Sequence, residues 1–307
     1  MQFHKLAPAL LLLAAIASAQ SQTGIPGVVF AGAQPKLVQE GFTFTEGPVG
    51  ASDGGIFFTD VRAFKLYRLD AAGKVTTVRE ASTGANGLTF NKAGDLYAAE
   101  GGTGKRISRA NQTGQPVTVV DKVNGRPLGA PNDLIMNAKG GIYFTDPGTQ
   151  PIDASDRHGD VYYLPPGAKE PIRLDDQLKF PNGLTLFIGG KTLLVDDTVG
   201  VNIWAYDVEA DGSVKNKRVF AAVPQLTDGK SFADGMCLDT ANRVYVTTGA
   251  GVQVFDRSGK FLGMIKIPRQ PSNCAFSGQD KKTLYVTARE GVYRIRMLAL
   301  GPNRPGK

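Results

Sequence analysis

Residues 132–146 read NDLIMNAKGGIYFTD, and residues 182–197 read NGLTLFIGGKTLLVDD. Each stretch opens on Asn and a short apolar run. A turn rich in Gly and Lys follows, then a second run of Tyr, Phe, Leu, Val and Thr that ends on Asp. Short runs of this kind bounded by turn formers are strands, because aromatic and β-branched side chains suit a pleated, half-buried surface. The same unit begins again at Glu46-Gly47-Pro48, Asn86-Gly87-Leu88, Asp234-Gly235-Met236 and Asn273-Cys274-Ala275. The six starts recur at intervals of roughly 40–50 residues, the period of a blade-type repeat. Second strands are expected over 55–60, 95–100, 141–146, 192–197, 243–248 and 283–288. The mature chain has no segment with the 3.6-residue apolar period of an amphipathic helix. Six repeats of about four strands each predict an all-β, six-bladed β-propeller. After Asn273 there is room for only three clear strands, so an N-terminal strand near 36–41 is expected to complete the last blade and close the ring.

The chain has 307 residues, which these repeats organise as one domain over 20–300 and a short tail over 301–307. The first 19 residues read as a cleavable signal peptide. Lys5 supplies the positive end, Leu6 to Ile16 the apolar run, and Ala17-Ser18-Ala19 the small-residue cleavage site. The run is too short for a membrane span, which needs about 20 apolar residues. An exported protein is expected, secreted or periplasmic, with no membrane insertion.

Composition excludes several chemistries. The sequence holds two histidines and two cysteines. Cleavage after Ala19 removes His4 and leaves His158, so a zinc site built on several histidines is excluded, and a Ser-His-Asp triad would have to use His158. Cys237 and Cys274 form no CxxC pair; two small buried thiols are expected in preference to a disulfide. The net charge of +7 is scattered along the chain with no basic block, so no nucleic-acid partner is expected.

In a propeller the first strand of each blade is innermost. The six starting residues, Glu46, Asn86, Asn132, Asn182, Asp234 and Asn273, should therefore converge on one mouth of the central channel. Asn and Asp are also ordinary turn formers, which accounts for most of the set but not for Glu46. Read as a site, two carboxylates balance one divalent cation and the carboxamide oxygens add neutral ligands. An all-oxygen set suits Ca²⁺ best, with Mg²⁺, Mn²⁺ or Zn²⁺ as alternatives.

The segments GFTFTEGPVG, APNDL, IYFTDP, FPNGLTL, FADGMCLD and PSNCAF, in this order and register, resemble the senescence-marker-protein, gluconolactonase and luciferin-regenerating-enzyme-like family. The resemblance extends over about residues 37–298. It implies a six-bladed propeller with a divalent metal held by Glu46, Asn182 and Asp234, and Asn132 as a fourth ligand or a substrate contact. It implies Asp234 as the catalytic general base or acid of a hydrolase that opens a sugar-acid or other small lactone or ester. Organophosphate hydrolysis of the diisopropylfluorophosphatase type is the enzymatic alternative. A non-catalytic propeller with a structural metal, binding a protein or carbohydrate, is the other. Asn86, Asn273 and His158 are candidate substrate contacts, with a solvated loop as the second reading of His158. Asp146 reads either as a support for the site or as a turn cap. A monomer is expected. The sequence departs from the family pattern at Gly50, at Ala99-Glu100-Gly101, at Gly129-Ala130-Pro131 and at Gly148-Thr149-Gln150, all outside the ligand set.

Overall fold

The computed structural model describes residues 22–111 and 115–304; the signal-peptide expectation over 1–19 lies outside the described residues. Each repeat forms a four-stranded antiparallel sheet whose strands are hydrogen-bonded in chain order. The first blade runs Thr45–Gly50, Ile56–Asp60, Lys65–Leu69 and Val75–Arg79. The innermost strands of the next four are Ala85–Phe90, Leu134–Met136, Pro181–Leu186 and Met236–Leu238. The sixth blade runs Asn273–Ser277, Thr283–Ala288 and Gly291–Arg296. Lys36–Glu40 supplies its fourth strand, antiparallel to Gly291–Arg296, with Lys36 opposite Arg294 and Glu40 opposite Gly291. The first and last parts of the chain thus close the ring in one sheet. A two-stranded ribbon, Lys122–Val123 with Arg126–Pro127, precedes the third blade. Among the described residues no helix is long and apolar enough to cross a membrane.

Burial explains the composition of the repeat. Innermost and second strands such as Pro181–Leu186 and Ile142–Asp146 are buried at every residue, while the outer Val117–Val120 is largely exposed. A strand covered on both faces reads as a continuous apolar run, which is why IFFTD and IYFTD show no alternation. The apolar core lies between blades. One layer joins Tyr97 and Ile107 to Leu134 and Phe144, and another joins Leu194 and Ile203 to Met236 and Val246.

A recurring carboxylate positions the loops at the site end of the channel. Asp60, at the end of a second strand, accepts the backbone N–H groups of Thr43 (2.7 Å) and Phe44 (2.9 Å). Asp146 accepts those of Gly129 (2.7 Å) and Ala130 (2.6 Å), and Asp197 those of Lys179 (3.0 Å) and Phe180 (2.9 Å). Each clamp fixes the segment that feeds the innermost strand of the same blade. Asp146 is therefore a backbone clamp, the turn-capping reading of the two. Blade two uses Glu100 differently: it accepts from Thr83 Oγ1 (2.6 Å), Ser108 Oγ (2.7 Å) and the guanidinium of Arg106 (2.7 Å).

Removing Asp60 strands three backbone donors, those of Thr43, Phe44 and Ala63, that had a charged acceptor. Asp60→Ala is expected to lower unfolding free energy by roughly 1–3 kcal/mol. Urea denaturation at unchanged m-value checks this, and an unchanged midpoint would show that water replaces the carboxylate without loss.

Candidate metal centre

At one end of the channel the innermost strands approach so closely that in four of the six blades only glycine fits after the starting residue. A Cβ on Gly47, whose φ is +49°, would lie 1.9 Å from the Asn86 carbonyl oxygen. One on Gly87 would lie 2.1 Å from Asp133 Oδ1, one on Gly183 1.9 Å from the Asp234 carbonyl oxygen, and one on Gly235 1.9 Å from Asn273 Cγ. The glycine that follows a starting residue is thus required by the starting segment of the next blade. In blades one, two and four the register of the innermost strand slips here, between Glu46 and Val49, Ala85 and Leu88, and Pro181 and Leu184. Such bulges re-aim a side chain out of the regular pleat.

Hydrogen bonds cross every blade junction at this level. Thr59 Oγ1 donates to the Asn86 carbonyl (3.0 Å), the Gly87 N–H to the Asn132 carbonyl (2.8 Å), and Thr145 Oγ1 to the Asn182 carbonyl (2.7 Å). Thr198 Oγ1 donates to the Ala233 carbonyl (2.6 Å) and Thr247 Oγ1 to the Ser272 carbonyl (2.7 Å). Ser272 Oγ donates to the Thr45 carbonyl (2.6 Å) and completes the circle.

Within this circle the starting residues differ in what they do. Glu46 is buried, accepts the Gly47 N–H (2.9 Å), and accepts the Asn273 carboxamide N–H (3.1 Å) on the same oxygen. The Asn273 Oδ1 accepts the Cys274 N–H at 2.9 Å, so both ends of this carboxamide are engaged in holding Glu46 and its own strand. Asn182 is buried and donates through Nδ2 to Thr198 Oγ1 (2.9 Å). The carboxamide oxygens of Asn182 and Asn86 are both buried without a hydrogen-bond partner among the described residues. Asn132 is half-buried and its backbone is paired on both sides.

Asp234 keeps a partly exposed edge. Burial, more than any neighbour, pushes its carboxyl well above the usual range; the negative charge of Glu46, then that of Asp196, a hydrogen bond with Glu46, and Asp133 push it the same way. The sequence reading missed Asp133 and Asp196, both fully buried. Asp133 accepts the Leu134 N–H (2.9 Å), and Asp196 accepts the Gly183 N–H (3.1 Å). A signal for Asp196 was available. In a strand that ends on two Asp residues, only one can face the clamp, and the other must face the opposite side.

His158 is not part of this arrangement in the structure. It is exposed, and its Nδ1 lies 3.1 Å from the Asp156 carbonyl of its own loop. The buried residue of that loop is its neighbour Arg157. Arg157 donates to the Pro147 carbonyl (2.7 Å) and lies over the Phe180 ring at 4.3 Å. Its Nε and Nη1 are buried without a hydrogen-bond partner among the described residues. The loop joins the site ends of the second and third strands of blade three, so Arg157 is at the same end of the channel as Glu46.

The far end is closed differently. Arg304 from the tail donates through Nη1 to the Leu186 carbonyl (2.6 Å), and burial lowers its guanidinium to about 10. It borders two cavities, of about 390 and 260 Å³, lined by the opposite ends of the innermost strands.

The donor set fits a hard divalent cation. Among the described residues no group of three His, Cys, Asp or Glu could hold a metal ion, so any ion here requires carboxamide oxygens. Two buried Oδ1 atoms lack a partner, and two hydrogen-bonded carboxyls carry more negative charge than their surroundings offset; both features are what a cation of about 6–8 oxygen ligands would satisfy.

Fold and site together define a six-bladed propeller with a polar, oxygen-rich centre at one mouth of its axial channel. The chain belongs to the SMP-30/gluconolactonase/LRE-like family, whose profile matches residues 44–290. It is 28% identical over 293 residues to the gluconolactonase of Zymomonas mobilis, covering 87% of this chain and 82% of that one. It is 27% identical over 259 residues to regucalcin of Gallus gallus, covering 79% and 82%. A solved gluconolactonase structure from Xanthomonas campestris superposes with a TM-score of 0.79 at 28% identity, covering 90% of this chain and 94% of that one.

Two outcomes are expected. Asn273→Ala should weaken divalent-cation binding about 10–100-fold by releasing Glu46, measured by calorimetry. Because Asp234 holds a proton to higher pH than an ordinary carboxylate, cation binding should release that proton and weaken as pH falls. Binding heats that are independent of buffer ionisation enthalpy would contradict this.

Proposed function

We propose that this chain is an exported, metal-dependent hydrolase that opens a small lactone, with a divalent cation, Ca²⁺ in the first instance, at the channel mouth. The observation that carries this reading is the hydrogen-bonded pair Glu46 and Asp234 beside the unpartnered carboxamide oxygens of Asn86 and Asn182. Glu46, Asn182 and Asp234 would hold the cation, with Asn132 and Asn86 at its edge. The cation would supply Lewis acidity towards a carbonyl oxygen.

The protein's own groups supply the rest. Asp234 keeps a partly exposed edge, so a carboxylate oxygen not held by the cation would take a proton from an attacking water and return it to the departing alkoxide. Asn273 keeps Glu46 oriented. Arg157 brings a positive charge to the same end of the channel, where an aldonic-acid product carries its carboxylate. The gluconolactonase relatives support the lactone class, and the regucalcin relative supports a divalent cation. The chain is taken to act alone, on a small molecule, without nucleic acid or membrane.

Proton release from a panel of sugar-acid and simple γ- and δ-lactones tests this. The mature chain should turn over at least one lactone, lose activity on chelation and regain it with Ca²⁺, Mg²⁺, Mn²⁺ or Zn²⁺. Asp234→Ala and Glu46→Ala should each reduce kcat/KM by about 10³-fold or more. Cation-dependent stabilisation with no lactone turned over would overturn the substrate class and direct the search to phosphotriesters. Full turnover by Asp234→Asn would remove Asp234 as the proton carrier.

A further inference from the structure

The two cysteines lie 37 positions apart in sequence, on the innermost strands of blades five and six, and no disulfide joins them in the structure. Their sulfurs are nevertheless 3.3 Å apart. Both side chains are buried, at 1% and 0% exposure. Two observations show that the backbones, too, are close. The Gly235 N–H donates to the Ser272 carbonyl at 2.7 Å, and a Cβ on Gly235 would strike the Asn273 side chain. Both strands start at the site end and run the same way, so moving two residues along each from that hydrogen bond arrives at Cys237 and Cys274. The pair is level, facing, and roofed by Tyr245, whose carbonyl lies 3.6 Å from Cys274 Sγ.

We infer that Cys237 and Cys274 form a disulfide site that staples blade five to blade six when the chain folds under oxidising conditions. A disulfide needs a sulfur separation of about 2.05 Å, so the sulfurs must close by little more than about 1 Å, within reach of side-chain rotation. The chemistry balances as thiol–disulfide exchange. One cysteine thiolate attacks a disulfide of an oxidoreductase or of oxidised glutathione and releases one thiol. The second thiolate then displaces the other sulfur. The protein loses two protons and two electrons, and the oxidant's disulfide becomes two thiols. Because both sulfurs are buried in the folded chain, the bond forms during folding, before the two blades pack. Afterwards the same burial shields it from reductant.

The position gives the staple a consequence. Cys237 follows Asp234 by three residues, and Cys274 directly follows Asn273, which holds Glu46. The bond would fix the separation of the two strands that carry Asp234 and the support of Glu46.

The denatured mature chain should be refolded in parallel in oxidised and in reduced glutathione buffers, then unfolded in the presence of an alkylating agent. The oxidised sample should be about 2 Da lighter than the unalkylated reduced chain and take up no alkyl group, while the reduced sample takes up two. The oxidised chain should melt about 5–10 °C above the reduced one. A Cys237→Ala/Cys274→Ala variant should melt at one temperature in both buffers. Two alkylated thiols in the oxidised sample, or a bond found only between two chains, would overturn the inference.

Discussion

Close approach of six strands around one axis is the constraint on which the rest of the structure depends. At Gly47, Gly87, Gly183 and Gly235 the next blade's backbone or side chain already occupies the place of a Cβ. Any larger residue must push blades apart, and in a closed ring one widened junction strains the other five. The crossing hydrogen bonds of Thr59, Thr145, Thr198, Thr247 and Ser272 lie at the same level and depend on the same spacing. The recurring Thr at the end of the second strand and the Gly after the starting residue therefore have one cause.

That approach has an electrostatic result. It draws Glu46, Asp133, Asp196 and Asp234 together where water is scarce, and an uncompensated buried carboxylate costs several kcal/mol. Three of the four are offset locally by backbone N–H groups: Gly47 for Glu46, Leu134 for Asp133 and Gly183 for Asp196. The proton affinity of Asp234 rises in response. The mouth of the channel is thus balanced either by a proton on Asp234 or by an added cation, and the unpartnered oxygens of Asn86 and Asn182 favour the second. A structural turn would need neither.

The blades and the ring were legible because their causes are local and repeated. Apolar runs set the strands, and chain length after Asn273 demanded Lys36–Glu40. The roles inside the ring were not legible, because they depend on which neighbour each side chain meets. Asn273 reads as a substrate contact in sequence, yet its carboxamide is engaged by Glu46 and Cys274. Asp133 and Asp196 were hidden by adjacent residues with plainer patterns, Asn132 and Asp197. In the loop DRHGD the histidine draws the eye as a titratable group, but alternation across a loop has no fixed period, and the fold buries Arg157 instead.

The two ends of the channel divide the work between the closed ring and the variable loops. At the far end, Arg304 hydrogen-bonds to the last residue of an innermost strand, placing a buried positive charge there. The mouth at the other end carries the buried carboxyls of Glu46, Asp133 and Asp196 instead. There the clamps Asp60, Asp146 and Asp197 fix only the loop segments nearest the ring. Residues further out lie beyond these clamps. The sequence departures at Gly129-Ala130-Pro131 and Gly148-Thr149-Gln150 fall on or beside the Asp146 clamp, which binds backbone N–H groups; a Cβ on Gly129 would lie 2.8 Å from Gly148 Cα and 2.9 Å from Asp146 Oδ1, so that position also requires glycine. Such clamps tie the ring to the nearest loop backbone and leave the outer loop residues, where function-specific contacts are usually carried, beyond their reach.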